Sequence, residues 1–281
     1  MAGRITRFAP SPTGPLHLGH AFAALTAFDR AAGGQMLLRI EDIDTARCRS
    51  QFEAAIHDDL HWLGLCWPNP VLHQSTRLPA YRAALAQLAA MGLTYHCGCS
   101  RADIRAALSA PQEGAASHGP DGPIYPGTCR RRGFAENDGL DVVRLDVGAA
   151  MRRLGDVEFV ETGPGHAGLH RFDADFMQTE VGDFVLARRD IGTSYHLAVV
   201  VDDAWQGISE VTRGADLFAA TPIHVLLQRL LGLPTPAYHH HRLIRDDQGK
   251  RLAKRDDARA LARYRADGAT AQEIRRMLGL G

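Results

Sequence analysis

Ile5-Thr6-Arg7-Phe8-Ala9-Pro10-Ser11-Pro12-Thr13-Gly14-Pro15-Leu16-His17-Leu18-Gly19-His20 is the stretch whose reading decides the fold. Ile5 to Phe8 alternates as a short strand. Three prolines and a glycine then impose a turn that neither a helix interior nor a central strand tolerates. From His17 the chain becomes alanine-rich and helical, and it stops at Gly33-Gly34. Leu37-Leu38-Arg39-Ile40 is a second strand, closed by the acidic run Glu41-Asp42-Ile43-Asp44. Strand, turn, helix and strand make the βαβ unit of a nucleotide-binding α/β fold.

Working outward, Ser50 with Glu53 has the pattern of a capping box. Phe52, Ile56, Leu60 and Leu63 follow at helical spacing, which predicts a helix over residues 50–64. A further helix is expected from Leu78 to Met91, ending at Gly92, and residues 109–127 read as a loop or insertion. Short strands alternating with turns are expected from Val142 to Leu186. The apolar run His196 to Val201 suits a buried parallel strand. Pro222 to Leu231 reads as a helix, as does the tail from Leu261 to Gly281. No internal repeat is visible.

The chain has 281 residues, 45% of them apolar, and as many acidic as basic side chains. A zero net charge argues against a dedicated nucleic-acid coat but allows a local basic face. No segment is long and apolar enough to span a bilayer, and no secretory leader precedes the first strand. A cytoplasmic protein with no membrane partner is therefore expected, and a monomer. Of the 32 basic residues only Lys250 and Lys254 are lysines.

Three places can carry chemistry. His17-x-Gly-His20 opens a helix, where backbone N–H groups and the helix dipole welcome phosphate. The two imidazoles share one face of the first turn, and Gly19 leaves room for a base or ribose. Lys250-Arg251-Leu252-Ala253-Lys254-Arg255 is a basic loop suited to a triphosphate. Cys97, Cys99 and Cys129 gather in one region, whereas Cys48 and Cys66 lack partners. An odd cysteine count argues against a disulfide framework, and the gathering of three in one region points to a metal.

Taken together, Phe8 to Gly14 leading into His17-Leu18-Gly19-His20, with Arg251 to Arg255 downstream, resemble the HIGH and KMSKS signatures of class I aminoacyl-tRNA synthetases. Arg39 to Thr45, Val199 to Ala204 and Val211 to Leu217 resemble the glutamyl/glutaminyl branch. Arg251 and Ala253 depart from the usual lysine and serine, and Lys254 is retained. The resemblance implies a Rossmann-type α/β catalytic domain, split by an inserted, zinc-containing region resembling an acceptor-binding domain. The expected division is 1–96 and 191–238 as the two catalytic halves, 97–190 as the insertion, and 239–281 as the signature loop and tail.

It further implies that His17, Gly19, His20 and Lys254 bind ATP, with Mg2+, and that His17, His20 and Lys254 act in catalysis. Arg7, Ser11, Glu41, Tyr195 and Arg213 match positions that bind glutamate in the family. Arginine suits a carboxylate because its planar fork binds it bidentately, and two arginines favour glutamate over the neutral amide of glutamine. Short glutamyl-type enzymes carry a structural Zn2+ on a C-x-C…Y-x-x-x-C pattern, matched here by Cys97, Cys99, Tyr125 and Cys129, with His96 and His118 as rival fourth ligands.

Twenty-six residues follow Arg255, which leaves no room for an anticodon-reading domain. The chain thus resembles the glutamyl-queuosine tRNA(Asp) synthetase family. Its members activate glutamate without tRNA and attach it to the queuosine base at the wobble position of tRNA(Asp). An anticodon loop splayed into the site is the implied RNA partner, with Arg130-Arg131-Arg132 a candidate contact. The alternatives are a truncated glutamyl-tRNA synthetase that charges a tRNA 3′ end, and a non-catalytic sensor. Acceptor assays with and without queuosine separate the first, and intact His17, His20 and Lys254 speak against the second.

Overall fold

The computed structural model describes residues 3–108, 118–131, 142–245 and 259–281. Strand β1 (Ile5–Phe8), helix α1 (Leu18–Ala31) and strand β2 (Gln35–Ile40) form the expected βαβ unit, with β1 and β2 parallel. Helix α2 (Ser50–Trp62), the short strand β3 (Leu72–His73) and helix α3 (Leu78–Ala90) follow. The capping box expected at Ser50 does not form. Arg49 occupies the cap position without a side-chain bond, and Glu53 instead meets His73 at 2.7 Å. Starting the helix at Ser50 puts that hydroxyl inside the first turn, where it cannot cap.

Strand β4 (Thr94–Cys97), helix α4 (Arg101–Leu108) and the two-residue strands β5 (His118–Gly119) and β6 (Gly122–Pro123) come next. Strand β7 (Val142–Leu145) and helix α5 (Val147–Leu154), capped by Asp146, lead to strands β8 (Val157–Glu161) and β9 (Gly168–Phe172). The one-turn helix α6 (Ala174–Phe176) and strand β10 (Val185–Ala187) complete this region. β4, β7 and β10 make a separate antiparallel sheet, while β8 and β9 belong with the main one.

Helix α7 (Tyr195–Trp205) corrects the expectation of a strand over His196 to Val201. Ser194 caps it by accepting from the Leu197 amide at 3.3 Å. A helix buried on nearly every side reads as one continuous apolar run, so periodicity could not tell it from a strand. Strand β11 (Glu210–Gly214), helix α8 (Thr221–Leu230) and strand β12 (Ala237–His241) complete the central sheet. β11, β12 and β8 are parallel. Ser209 exchanges hydrogen bonds with Ile5, so the two parallel blocks abut in the order β3-β2-β1-β11-β12-β8-β9.

The tail is two helices, α9 (Leu261–Ala266) and α10 (Ala271–Met277), rather than one. Gly268 breaks them at φ 86°, and Thr270 with Glu273 caps the second. Leu261, Ile274 and Leu278 pack with Phe22, Leu25 and Leu60, so the tail completes the core beneath α1 and α2. A second core gathers α3, α5, α7 and α8. No helix among the described residues is long and apolar enough to cross a membrane.

Candidate active site

The carboxyl ends of β1, β2, β11 and β12 converge on a cavity of about 360 Å3. In open α/β sheets this crevice, where the strand order reverses, is the place for ligands. Arg7, His17, Gly19, His20, Glu41, Tyr195 and Arg213, seven positions singled out from sequence, all line it. Ser11 lies in an adjoining cavity of about 300 Å3, and Glu41 and Tyr195 form part of both linings.

His17 and His20 cap α1. Gly19 N–H donates to His17 Nδ1 at 3.1 Å, and His17 N–H donates to His20 Nδ1 at 3.2 Å. Because each Nδ1 accepts, a neutral ring keeps its proton on Nε2 and can donate from there. The rings lie 3.8 Å apart. The expected space at Gly19 has a different occupant: an added Cβ would meet His17 Cε1 at 2.9 Å. Glycine at this position accommodates the capping imidazole.

Arg7 and Arg213, on adjacent strands, have opposite surroundings. Arg7 donates to both carboxylate oxygens of Asp203, at 3.0 and 3.4 Å, and to the Thr212 carbonyl at 3.0 Å. Asp203 also receives fully buried Arg39 at 2.7 Å. Burial alone would push the Asp203 carboxyl up, but the two guanidiniums outweigh it and hold it below its ordinary value. Glu41 shows the reverse balance: burial raises it more than Arg39 and Arg7 lower it. Burial also raises the Tyr195 phenol. Arg213, by contrast, donates to His240 Nε2 at 3.0 Å, His224 Nδ1 at 2.8 Å and Thr221 Oγ1 at 2.8 Å, all neutral acceptors.

The Lys250–Arg255 loop, Lys254 included, lies outside the described residues. Its flanks reach the cavity. Arg242, Leu243 and Ile244 line it, while Ala260 bridges His17 and the Leu261 amide donates to the Leu16 carbonyl at 2.8 Å.

A third cluster lies at the end of β4. The sulfurs of Cys97, Cys99 and Cys129 all fall within 4.8 Å of one another. The Tyr125 hydroxyl is 3.4 Å from Cys99 Sγ and accepts the Cys129 amide at 2.8 Å. Neither His96 nor His118 joins this cluster. Burial pushes the Cys99 thiol up to about 11 and raises the Tyr125 phenol further. Three thiols and a phenol, all buried but the half-buried Cys99, are a donor set that fits a tetrahedral cation, whose charge would drive the ionisation that burial opposes.

The model of class I tRNA synthetases (E and Q), catalytic domain, matches residues 5–280. A glutamyl-Q tRNA(Asp) synthetase of Rhodobacter capsulatus is 62% identical, over 98% of this chain and 100% of its own length. The chain belongs to the glutamyl-Q tRNA(Asp) synthetase family. A second member, from Thiobacillus denitrificans, is 42% identical over 97% of this chain and 85% of its own. The solved glutamate-tRNA synthetase of Elizabethkingia anophelis superposes with a TM-score of 0.70 at 26% identity, covering 90% of this chain. This chain spans about half that protein's length, 53% of it.

In this chain the structure also brings in residues that sequence reading did not assign. Arg39 and Asp203 lie inside stretches quoted for their family pattern, but reading 196–201 as a strand hid Asp203. Adjacent Asp202 and Asp203 serve different networks: Asp202 takes Gln74, Arg77 and Tyr81. Two aspartates ending an apolar run were a signal, since buried carboxylates need partners. His239, His240 and His241 end β12 and diverge. His239 meets Thr162 at 3.1 Å, His240 faces Glu161 and Arg213, and His241 packs edge-on against Phe22. Of the arginine run, Arg130 commits Nε to Asp183 at 2.8 Å while staying half exposed, and Arg132 lies outside the described residues.

Proposed function

We infer that this chain activates L-glutamate with ATP, without RNA, as glutamyl-adenylate. It then transfers the glutamyl group to the queuosine base at the wobble position of tRNA(Asp). The observation that carries the reading is the single cavity lined by two N-terminal imidazoles, a partly buried acid, a tyrosine and two arginines. The kinship to glutamyl-Q tRNA(Asp) synthetases supports the acceptor.

Glutamate presents one ammonium and two carboxylates. Glu41 and the Tyr195 hydroxyl suit the ammonium. Arg213, with neutral partners, suits the side-chain carboxylate, and Arg7 adds positive potential on the neighbouring strand. Ser11 serves from the adjoining cavity. The α-carboxylate attacks the α-phosphorus of ATP, and pyrophosphate leaves. Nε2–H groups of His17 and His20, beside Gly19, and the ammonium of Lys254 stabilise the charge gathering on that leaving group. Mg2+ bound to ATP would share that load. A nucleophile of the queuosine base then attacks the adenylate carbonyl, and AMP departs. Cys97, Cys99, Tyr125 and Cys129 would hold one Zn2+, which supplies structural cross-linking of residues 97–129.

The test is incubation with ATP, labelled glutamate and tRNA(Asp) with and without queuosine. Label confined to the queuosine-containing anticodon fragment is expected. Label at the tRNA 3′ end would instead make the chain a short glutamyl-tRNA synthetase.

A further inference from the structure

Arg213 is the end of two hydrogen-bond chains, and the directions of both are fixed. A guanidinium only donates, so His224 Nδ1 and His240 Nε2 must accept from it. His224 therefore carries its proton on Nε2, which donates to His196 Nδ1 at 2.9 Å. His196 in turn donates from Nε2 to Asp121 Oδ1 at 3.2 Å. On the other side, His240 donates from Nδ1 to Glu161 Oε2 at 2.5 Å. Glu161 is held in place by the amides of Gly163 and His240, at 2.6 and 2.9 Å. Both chains run from the cation through neutral imidazole to a carboxylate.

This arrangement meets a specific requirement. A buried guanidinium needs compensating charge, yet a carboxylate bound directly to it competes with a carboxylate substrate. An intervening ring keeps the countercharge one or two residues away while fixing the plane of the guanidinium. Burial, aided by the Arg213 charge, keeps His224 well below the ordinary histidine range, so the accepting form persists at neutral pH.

We propose that His224 and His240 are positioning residues for substrate recognition: two neutral imidazoles, anchored on Asp121 through His196 and on Glu161, that hold Arg213 toward the cavity with its charge unquenched and so set affinity for the glutamate side chain and selectivity over glutamine. The proposal rests on the reading that this cavity takes glutamate.

Glutamate-dependent ATP–pyrophosphate exchange on the full chain tests it. His224→Leu and His240→Leu should each raise KM for glutamate about tenfold or more, with kcat within about threefold and KM for ATP unchanged. The preference for glutamate over glutamine should fall in parallel. His240→Gln, which keeps an acceptor, should recover most of the loss. In an Arg213→Ala background neither leucine change should add further to KM.

Glu161→Gln is nearly isosteric and keeps the measurement possible if a leucine variant fails to fold. Its amide turns a donor toward His240 Nδ1, moves the ring proton to Nε2 and sets donor against donor at Arg213. It should raise glutamate KM by about tenfold also. Unchanged glutamate KM in Glu161→Gln and in the folded leucine variants would overturn the proposal. So would an undiminished effect in the Arg213→Ala background. If Arg213→Ala itself leaves glutamate KM unchanged, the assignment of the glutamate site fails instead.

Discussion

Arg7 on β1 and Arg213 on β11 line one cavity from neighbouring strands, yet one is paired directly with a buried carboxylate and the other rests on imidazoles. The first arrangement is a way of holding a fold together: Asp203 ties β1, β2 and α7 through Arg7 and Arg39. The second is a way of keeping a cation for something that arrives later. On the proposed reading, two arginines that look equivalent in a sequence divide into one committed mainly to the fold and one held for substrate. The division follows from what stands behind each, aspartate in one case and histidine in the other.

The largest effect expected isolates chemistry from both walls. Lys254→Ala should cut kcat for adenylation by roughly 100- to 1000-fold, or about 3–4 kcal/mol, with little change in glutamate KM. Rapid-quench measurement of adenylate at saturating substrates reads it, and near-normal turnover would remove the basic loop from the site.

The next pair breaks the comparison directly. Arg7→Ala strands Asp203 with Arg39 alone and should cost about 3 kcal/mol of unfolding free energy in urea. Arg213→Ala, whose partners are neutral, should cost about 1 kcal/mol of stability but raise glutamate KM roughly 30- to 100-fold, the loss of a charge-assisted contact. Equal stability losses, or a larger KM effect from Arg7, would erase the distinction.

A smaller effect concerns pH. His224, His239, His240 and His241 all titrate below the ordinary histidine value, chiefly through burial. As pH falls through about 6.5, the unfolded chain gains protons that the fold refuses, so stability present above that pH is lost. His57 is lowered by burial as well, so His73, raised by its bond to Glu53 against the opposing pull of burial, is one group against five. Tm should fall between pH 7.5 and about 5.5, and a flat or rising profile would contradict this. The smallest effect on activity is expected at the cysteine cluster. Cys99→Ser should abolish stoichiometric zinc and expose residues 97–131 to protease, while changing exchange less than about twofold.

Much of this was legible in the sequence because local rules set it. The prolines and glycine between Phe8 and His17, and the helix that follows, gave β1, α1 and β2 without tertiary help. Cys97, Cys99 and Cys129 could be grouped by spacing alone. What could not be read is set by distant partners. The α7 run has no polar face to mark its period, because α3 and α8 cover it along with the sheet. The role of His17 and His20 as a reciprocal cap depends on ring orientation. Nothing in the string links His224 to Arg213, or His240 to Glu161, 79 residues away. Those pairings carry the proposal that Arg213 is the receptive arginine, and only the fold supplies them.

The central claim is that this cavity activates glutamate by itself, and ATP–pyrophosphate exchange without RNA tests it most directly. Exchange should require L-glutamate, proceed in the absence of tRNA, and fall sharply when glutamine replaces glutamate. Exchange that appears only on adding tRNA, or that runs as well with glutamine, would contradict the account.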